Sequence, residues 1–105
     1  MADFSQLLQL GQQMQGKLTQ MQSELAQQTV TASSGGGMVK AAANGRGEIR
    51  SIEIDPSVVS NGDVEMLEDL VLAAVTEAQR KAQDLYRSEL NKVTGGLPLP
   101  FQLPL

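Results

Sequence analysis

Two groups of charged side chains in this 105-residue sequence have the types and spacings of a binding site. The first is a carboxylate cluster, formed by Asp55, Asp63, Glu65, Glu68 and Asp69. Glu65 would share a helix face with Glu68 or Asp69, a geometry that could hold a hard cation. However, carboxylates in a first helical turn are also stabilised by the helix dipole, and no loop has EF-hand spacing. We therefore predict no metal site.

The second group is a set of basic residues on two predicted helices: Lys17, Arg80, Lys81, Arg87 and Lys92. Such cations could neutralise the phosphates of a nucleic acid. Glu77 and Lys81, like Arg80 and Asp84, are spaced i,i+4, so simple pairing within the helix is the alternative. A basic helix end is also favoured by the dipole. From the residues alone, DNA binding and a dimeric interaction module both stay open, and the interaction module is favoured.

The residue types give little support for catalysis, for a phosphate-binding loop or for RNA binding by stacking. The chain has no histidine and no cysteine, which removes every scheme that uses them as base, nucleophile or thiolate ligand. Three glycines at 35–37 suggest a phosphate cradle, but Met38 and Val39 follow where a Walker loop needs lysine and serine or threonine. We predict a plain turn there, no enzyme, no cofactor and no small-molecule substrate. The three aromatic residues are scattered and form no stacking platform for RNA.

Composition indicates one small domain with few large side chains. Aromatic residues make up 3% of the chain, so a partner subunit is an expected source of additional burial. The net charge of -4 has the wrong sign for a simple DNA binder, which makes the distribution of charge more informative than its sum. Because no basic leader and no long apolar run is present, we predict no signal peptide, no membrane helix and a cytoplasmic protein.

The elements that must position these residues follow from periodicity. Residues 4–28 carry apolar side chains at alternating spacings of three and four, which predicts a helix with a coiled-coil seam. Three strands should follow, beginning at Thr29, at Met38 and at Gly47, with Pro56 ending the third. Asn44-Gly45 predicts a type I′ hairpin turn. A slip in the alternation of the third strand suggests either a bulge near Arg50 and Ser51 or a strand that is covered on both faces.

A second long helix is expected after residue 61, with Asp63 as its N-cap. Its apolar stripe narrows after Val75, so its first half should cover the sheet and its second half should project beyond it. Thr94-Gly95-Gly96 should end the helix, and the proline-rich residues 98–105 should be a disordered tail. The predicted fold is α+β: long N-terminal helix, three-stranded antiparallel sheet, long C-terminal helix.

Two helices and three strands would leave part of the sheet and both helical seams uncovered. We therefore predict a homodimer. The apolar residues expected in its core or at its interface are Ile52, Ile54, Leu67, Leu70 and Val71.

The order of short motifs resembles the YbaB/EbfC family of nucleoid-associated proteins. The motifs are GGGMVK at 35–40, NGRGEI at 44–49, SIEIDP at 51–56, EMLEDL at 65–70 and TGGL at 94–97. Each motif is weak alone, whereas the combination in this order is specific. The resemblance covers roughly residues 5–97, and we predict a single domain over residues 1–97.

This resemblance implies a tweezers-like homodimer in which two sheets meet and paired helices protrude. It implies binding of double-stranded DNA with low sequence specificity, in nucleoid organisation and gene regulation, and a place in the nucleoid. Its helical prongs are implicated in DNA contact, which points to Lys17 and the late basic positions of the second helix. The alternative is a dimeric protein-binding adaptor or chaperone-like clamp that uses the same prongs.

Overall fold

Three helices and three strands make up residues 3–94, the part of the chain that this computed structural model describes. In chain order they are α1 (Phe4–Gln27), β1 (Thr29–Ser34), β2 (Val39–Asn44), β3 (Ile49–Ile54), α2 (Pro56–Ser60) and α3 (Val64–Thr94). The strands form one antiparallel sheet in the order β1-β2-β3, and a short turn at Gly35–Gly37 joins the first two. The predicted α+β order is confirmed. The proline-rich tail at 98–105 lies outside the described residues.

A bulge in β3 sets which side chains face the helices. Ala42 pairs with Ser51, but Ala43 pairs with Ile49, so Arg50 is an extra residue in the ladder. Directly paired residues of antiparallel strands lie on the same face of the sheet. The bulge therefore returns Ile49 to the face that carries Ile52 and Ile54, which strict alternation would not do. The predicted bulge is confirmed.

The β2–β3 hairpin differs from the predicted type I′ turn, and that prediction is wrong. Neither Asn44 nor Gly45 has a positive φ angle, which both central residues of a type I′ turn require. Instead the Asn44 N–H donates to the Glu48 carbonyl at 2.9 Å, which leaves the three residues 45–47 in the loop. The last of them, Gly47, has a φ of 87°. The Gly47 N–H donates to the Asn44 carbonyl at 3.0 Å. A three-residue loop that ends in a left-handed glycine is the next most common hairpin connection.

Gly45 is required for close packing rather than for its φ angle. A Cβ atom at this position would lie 2.7 Å from Leu25 Cδ2 and 2.8 Å from the Leu25 carbonyl oxygen. A contact this short to a backbone oxygen cannot be relieved by rotating a side chain. The Gly45 N–H donates to the same carbonyl at 2.8 Å. The hairpin is thereby held against the C-terminal end of α1.

Asp55-Pro56 ends β3, as predicted, and also begins the short helix α2, which was not predicted. The Asp55 side chain accepts a hydrogen bond from Ser57 N at 2.9 Å, while Pro56 occupies a first-turn position where no N–H is needed. At the start of α3, Asp63 Oδ1 accepts from Met66 N at 2.9 Å. Asp63 is therefore the N-cap that the sequence predicts.

The core of the sheet is built largely from alanine. The buried residues are Ala32, Val39, Ala41, Ala43, Ala74 and Ala78. Small side chains on both sides let α3 approach β1 and β2 closely. The second half of α3 leaves the sheet and packs on α1, where Met21, Leu25 and Leu90 are buried. The predicted division of this helix into a covering half and a projecting half is confirmed.

The strand β3 lies outside the cover that α3 provides. Ile52 is 43% exposed and Ile54 is 38% exposed, so neither belongs to the core of a single chain. Leu67, Leu70 and Val71 are partly buried against the alanine core. Burial of the two isoleucines between subunits stays a prediction. Within residues 3–94, no helix is long and apolar enough to cross a membrane.

Candidate nucleic-acid interface

The projecting part of the molecule is a pair of antiparallel helices. Because α1 runs toward the sheet and α3 runs away from it, their far ends are the start of α1 and the end of α3. Their contact is lined by partly buried apolar residues around the buried ones, namely Leu18, Leu85, Tyr86 and Val93. The described chain is elongated, about 70 × 24 × 16 Å. Side chains near the tip therefore stand far from the sheet.

Lys17 and Lys92 lie together where the described part of α3 ends, about halfway along α1, and the first half of α1 extends beyond them. Both line one cleft between α1 and α3, which also contains Glu24 and Glu89. Lys92 Nζ is 3.1 Å from Glu89 Oε1, across an i,i+3 spacing on an exposed surface. Such a pair contributes little to stability and is easily exchanged for another partner. Lys17 is exposed and forms no ion pair with another described residue. The structure thus brings together two predicted site residues from opposite ends of the sequence.

Arg80 is held by two carboxylates of its own helix. Its Nη1 lies 2.8 Å from Asp84 Oδ2, and its Nε donates to Glu77 Oε2 at 3.0 Å. The hydrogen bond from Arg80 lowers the pKa of the Glu77 carboxyl, and the pKa of Arg80 itself is raised by Glu77 and then by Asp84. The pairing of Arg80 with Asp84 that the i,i+4 spacing indicated is present. The Glu77 carboxylate binds Arg80 rather than Lys81.

Lys81 and Arg87 have different surroundings from Arg80. Lys81 Nζ donates to the Thr31 carbonyl at 2.8 Å, which ties α3 to the edge strand β1. Arg87 is exposed and forms no ion pair within residues 3–94. It follows Arg80 by seven residues, or two helical turns, so both lie on the outer face of α3. Of the late basic residues, Arg87 is the one most available to an external anion.

The predicted basic residues are spread along the length of α3 rather than gathered in one patch. Arg80 and Arg87 lie on one face, and Lys81 and Lys92 lie roughly 100–140° around the helix axis from them. From position 80 to position 92 this line of cations is about 18 Å long at 1.5 Å per residue. Lys17 joins it from the middle of α1. Cations spread over such a length suit a polymer with repeating phosphates better than a single small anion.

Arg46, for which the sequence pattern predicts no role, lies beside this line of cations in the structure. Arg46 lies at the tip of the β2–β3 hairpin, and it lines a cleft together with Arg80 and Gln79 of α3. It is exposed and forms no ion pair with another described residue. The sequence does mark this position, since Arg46 stands between two glycines in the hairpin motif.

The carboxylates that the sequence groups together have separate structural roles. Asp55 caps α2, Asp63 caps α3, and Glu65 lies in the first turn of α3. Within residues 3–94, no three carboxylate side chains come together as a metal-binding group. These residues act at helix starts, where a negative charge is stabilised by the dipole.

An elongated α+β chain whose projecting helices carry a line of cations has the form of a protein that binds an extended anionic polymer. A sequence model of the YbaB/EbfC DNA-binding family matches residues 1–97. The chain belongs to this family, which consists of DNA-binding proteins rather than enzymes.

The names of relatives agree with this assignment, and a solved structure has a similar fold. A protein named nucleoid-associated protein from Thermoanaerobacter pseudethanolicus is 55% identical over 98 residues, which cover 93% of this chain and 88% of the relative. Another of that name, from Gemmatimonas aurantiaca, is 49% identical over 102 residues, covering 97% and 98%. The crystal structure of an uncharacterized protein from Helicobacter pylori has a TM-score of 0.83 and 27% identity. The match covers 90% of this chain and all of that one.

Proposed function

We propose that this protein is a nucleoid-associated homodimer that binds double-stranded DNA with low sequence specificity. One observation carries the proposal: the antiparallel helices place Lys17 of the middle of α1 beside Lys92 near the end of α3, while Arg87 stays exposed without an ion pair among the described residues. Organisation of the nucleoid and an influence on gene expression would follow from binding at many sites.

Low specificity follows from the kind of contact that these side chains can make. Lysine and arginine on an exposed helix reach phosphates, which position a protein on DNA but carry no base information. Tyr86 is partly buried between α1 and α3, so it is not placed to stack on bases. The net charge of -4 does not oppose DNA binding, because salt screens charges beyond about 8–10 Å. The acidic residues Glu65, Glu68 and Asp69 lie at the sheet end of α3.

The exposed strand β3 supports the homodimer. Its isoleucines lie on the face that α3 covers elsewhere, and its outer edge has no strand partner within the described chain. A second copy could cover both features at once. Dimerisation would also double the number of cations that one DNA duplex meets.

The experiment is a mobility-shift titration with two unrelated duplexes over a series of salt concentrations. We expect similar affinities for both duplexes and a steep decrease with salt, with about -0.9 in the log–log slope for each phosphate neutralised. Binding to one duplex alone would contradict low specificity. An absence of binding even at low salt would contradict the DNA-binding proposal.

A protein-binding clamp is the second candidate, and a separate observation favours it. The first half of α1 is exposed and carries large apolar side chains: Phe4, Leu7, Leu8 and Leu10. Phe4 is 72% exposed. An apolar end on a projecting helix suits the capture of an unfolded or apolar segment of another protein.

The probe for this candidate is reduced, carboxymethylated α-lactalbumin, which stays unfolded, and it is titrated beside the duplexes. The double variant Phe4→Ser, Leu8→Ser should weaken binding of this probe and leave DNA binding unchanged.

A further inference from the structure

The tip of the β2–β3 hairpin is fixed by one buried polar side chain. Asn44 is only 2% exposed, and all its side-chain hydrogen-bonding atoms are used. Its Oδ1 accepts from Arg46 N and from Glu48 N, each at 3.0 Å. Its Nδ2 donates to Glu48 Oε1 at 2.7 Å. These three bonds hold the loop in one conformation, so the backbone of Arg46 is fixed before any ligand arrives.

The hairpin is also attached to both long helices. On one side, Gly45 N donates to the Leu25 carbonyl of α1 at 2.8 Å. On the other side, Gln79 Nε2 of α3 lies 3.5 Å from the Gly47 carbonyl, at the long limit of a hydrogen bond. Because the loop bridges α1 and α3, its position relative to the helices is defined. A side chain that extends from it is a fixed feature of the surface.

The cleft between this hairpin and α3 is rich in hydrogen-bond donors. Its lining side chains are Arg46, Thr76, Gln79, Arg80, Gln83 and Tyr86. The carboxylates nearest to it are already bound: Glu77 and Asp84 to Arg80, and Glu48 to Asn44. Glu48 also lies 4.0 Å from Arg50. Arg46 is the basic residue of the lining that forms no ion pair with any described residue. The Glu48 carboxylate interacts with Arg46 at longer range, where the positive charge of Arg46 contributes to lowering the Glu48 pKa after the larger effect of the Asn44 hydrogen bond. The cleft therefore presents a guanidinium that no carboxylate binds directly, together with amides and hydroxyls.

We propose that this cleft binds a phosphate of the DNA backbone, with Arg46 as the direct contact. Guanidinium groups bind phosphate oxygens with two parallel hydrogen bonds, and neighbouring glutamine amides can donate to the remaining oxygens. The inference rests on the proposed DNA binding and extends it. The duplex would contact the base of the projecting helices at the hairpin as well as the cations farther along them. The pre-positioned loop lowers the conformational entropy cost of binding through Arg46.

The test compares two variants that remove one positive charge each. Arg46→Ala removes the proposed contact, whereas Lys40→Ala removes an exposed lysine from the sheet face opposite α3. Affinity for one duplex is measured by fluorescence anisotropy over a salt series. We expect Arg46→Ala to weaken binding about tenfold at low salt, as for removal of a charged hydrogen bond. The log–log salt slope should become shallower by about 0.9 for each phosphate that Arg46 no longer neutralises. Lys40→Ala should change affinity less than about twofold, because it only lowers the total charge.

Two controls separate a local effect from misfolding. Arg46→Gln keeps the aliphatic stem, and we expect the same decrease in affinity with an unchanged melting temperature. In the parent, addition of duplex should shift the NMR signals of the Gln79 and Gln83 side-chain amides, and Arg46→Ala should reduce these shifts. Equal affinities of Arg46→Ala and Lys40→Ala would overturn this inference alone. A parent that binds no duplex at any salt concentration would overturn the proposed function together with it.

Discussion

Ala41 and Ile52 are direct partners on neighbouring antiparallel strands, yet one is buried and the other is not. Ala41 is 1% exposed and Ile52 is 43% exposed, although paired residues lie on the same face of the sheet. The difference arises because α3 lies over β1 and β2 and, apart from partly covering Ile49, leaves β3 exposed. An apolar row on β3 therefore has no cover within one chain.

Replacing Ile52 by Asp should dissociate the proposed dimer, because a carboxylate would be placed in an apolar interface. Multi-angle light scattering of the parent should return twice the mass of one chain, and the variant should return the mass of one chain. Ser51→Asp is the matched control, since Ser51 is the neighbouring exposed residue on the opposite face. A parent that is monomeric at micromolar concentration would refute the assembly.

Replacing Leu70 by Ala should lower the free energy of unfolding by about 2–5 kcal/mol, the range measured for buried leucines. We expect the lower end of this range, because Leu70 is only partly buried. Its side chain packs beside Gly35, and the Leu70 carbonyl accepts from Ser34 Oγ at 2.6 Å. Leu72 is the control, since it is 66% exposed on the same helix and its replacement by Ala should cost less than about 0.5 kcal/mol. Chemical denaturation measures both. Equal destabilisation by the two variants would show that Leu70 is not a packing residue.

The hairpin should weaken in acid through Glu48. The hydrogen bond from Asn44 lowers the pKa of the Glu48 carboxyl below its ordinary value. A lowered folded-state pKa means that the carboxylate stabilises the fold above its ordinary pKa, and that this contribution is lost as the pH falls through the lowered value. In urea unfolding, the parent should therefore have a higher free energy of unfolding than Glu48→Gln at neutral pH. This difference should become smaller in acid. A difference independent of pH would refute the role of the charge, and Glu53→Gln serves as the exposed control.

Replacing Arg80 and Arg87 together by Ala should weaken binding to unrelated duplexes alike. Both side chains lie on the outer face of α3, where they can reach phosphates, and the salt slope should become flatter by about 0.9 for each phosphate left without its cation. Since Arg80 is held by Glu77 and Asp84, the single variant Arg87→Ala should account for most of the decrease in affinity. Mobility shifts of the single and double variants measure this division. A double variant with the affinity of the parent at every salt concentration would mean that these arginines are structural pairs only.

Deleting residues 98–105 should leave the dimer folded. Pro98, Pro100 and Pro104 are incompatible with a regular helix or a central strand, so the core should not depend on this segment. Circular dichroism melting and light scattering of the shortened chain test the prediction. Loss of folding or of dimerisation on truncation would identify the segment as a docking arm.

Local patterns determined the elements of this protein because their causes are local. The seam from Phe4 to Leu25 predicted α1, and Asp63 predicted the start of α3 through a bond that spans three residues. The slip in alternation at Arg50 predicted the bulge, since the isoleucines on both sides must reach the same face. Pro56 predicted the end of β3, although its second role as the first residue of α2 was missed. The family resemblance pointed to DNA and to the basic residues of the helices.

Only the tertiary structure decided how these elements meet. Asn44-Gly45 has the signature of a type I′ turn, but the carbonyl of Leu25, distant in sequence, accepts from the Gly45 N–H and requires a residue without Cβ. Ile52 has the pattern of a core residue, and it is exposed because α3 lies over the other two strands. Spacing alone could not show whether Glu77 binds Arg80 or Lys81, since a carbonyl of β1 competes for the lysine. Arg46 is a candidate binding residue only because the fold places the hairpin beside α3. Each of these outcomes depends on groups far apart in the chain, and local sequence patterns do not encode such contacts.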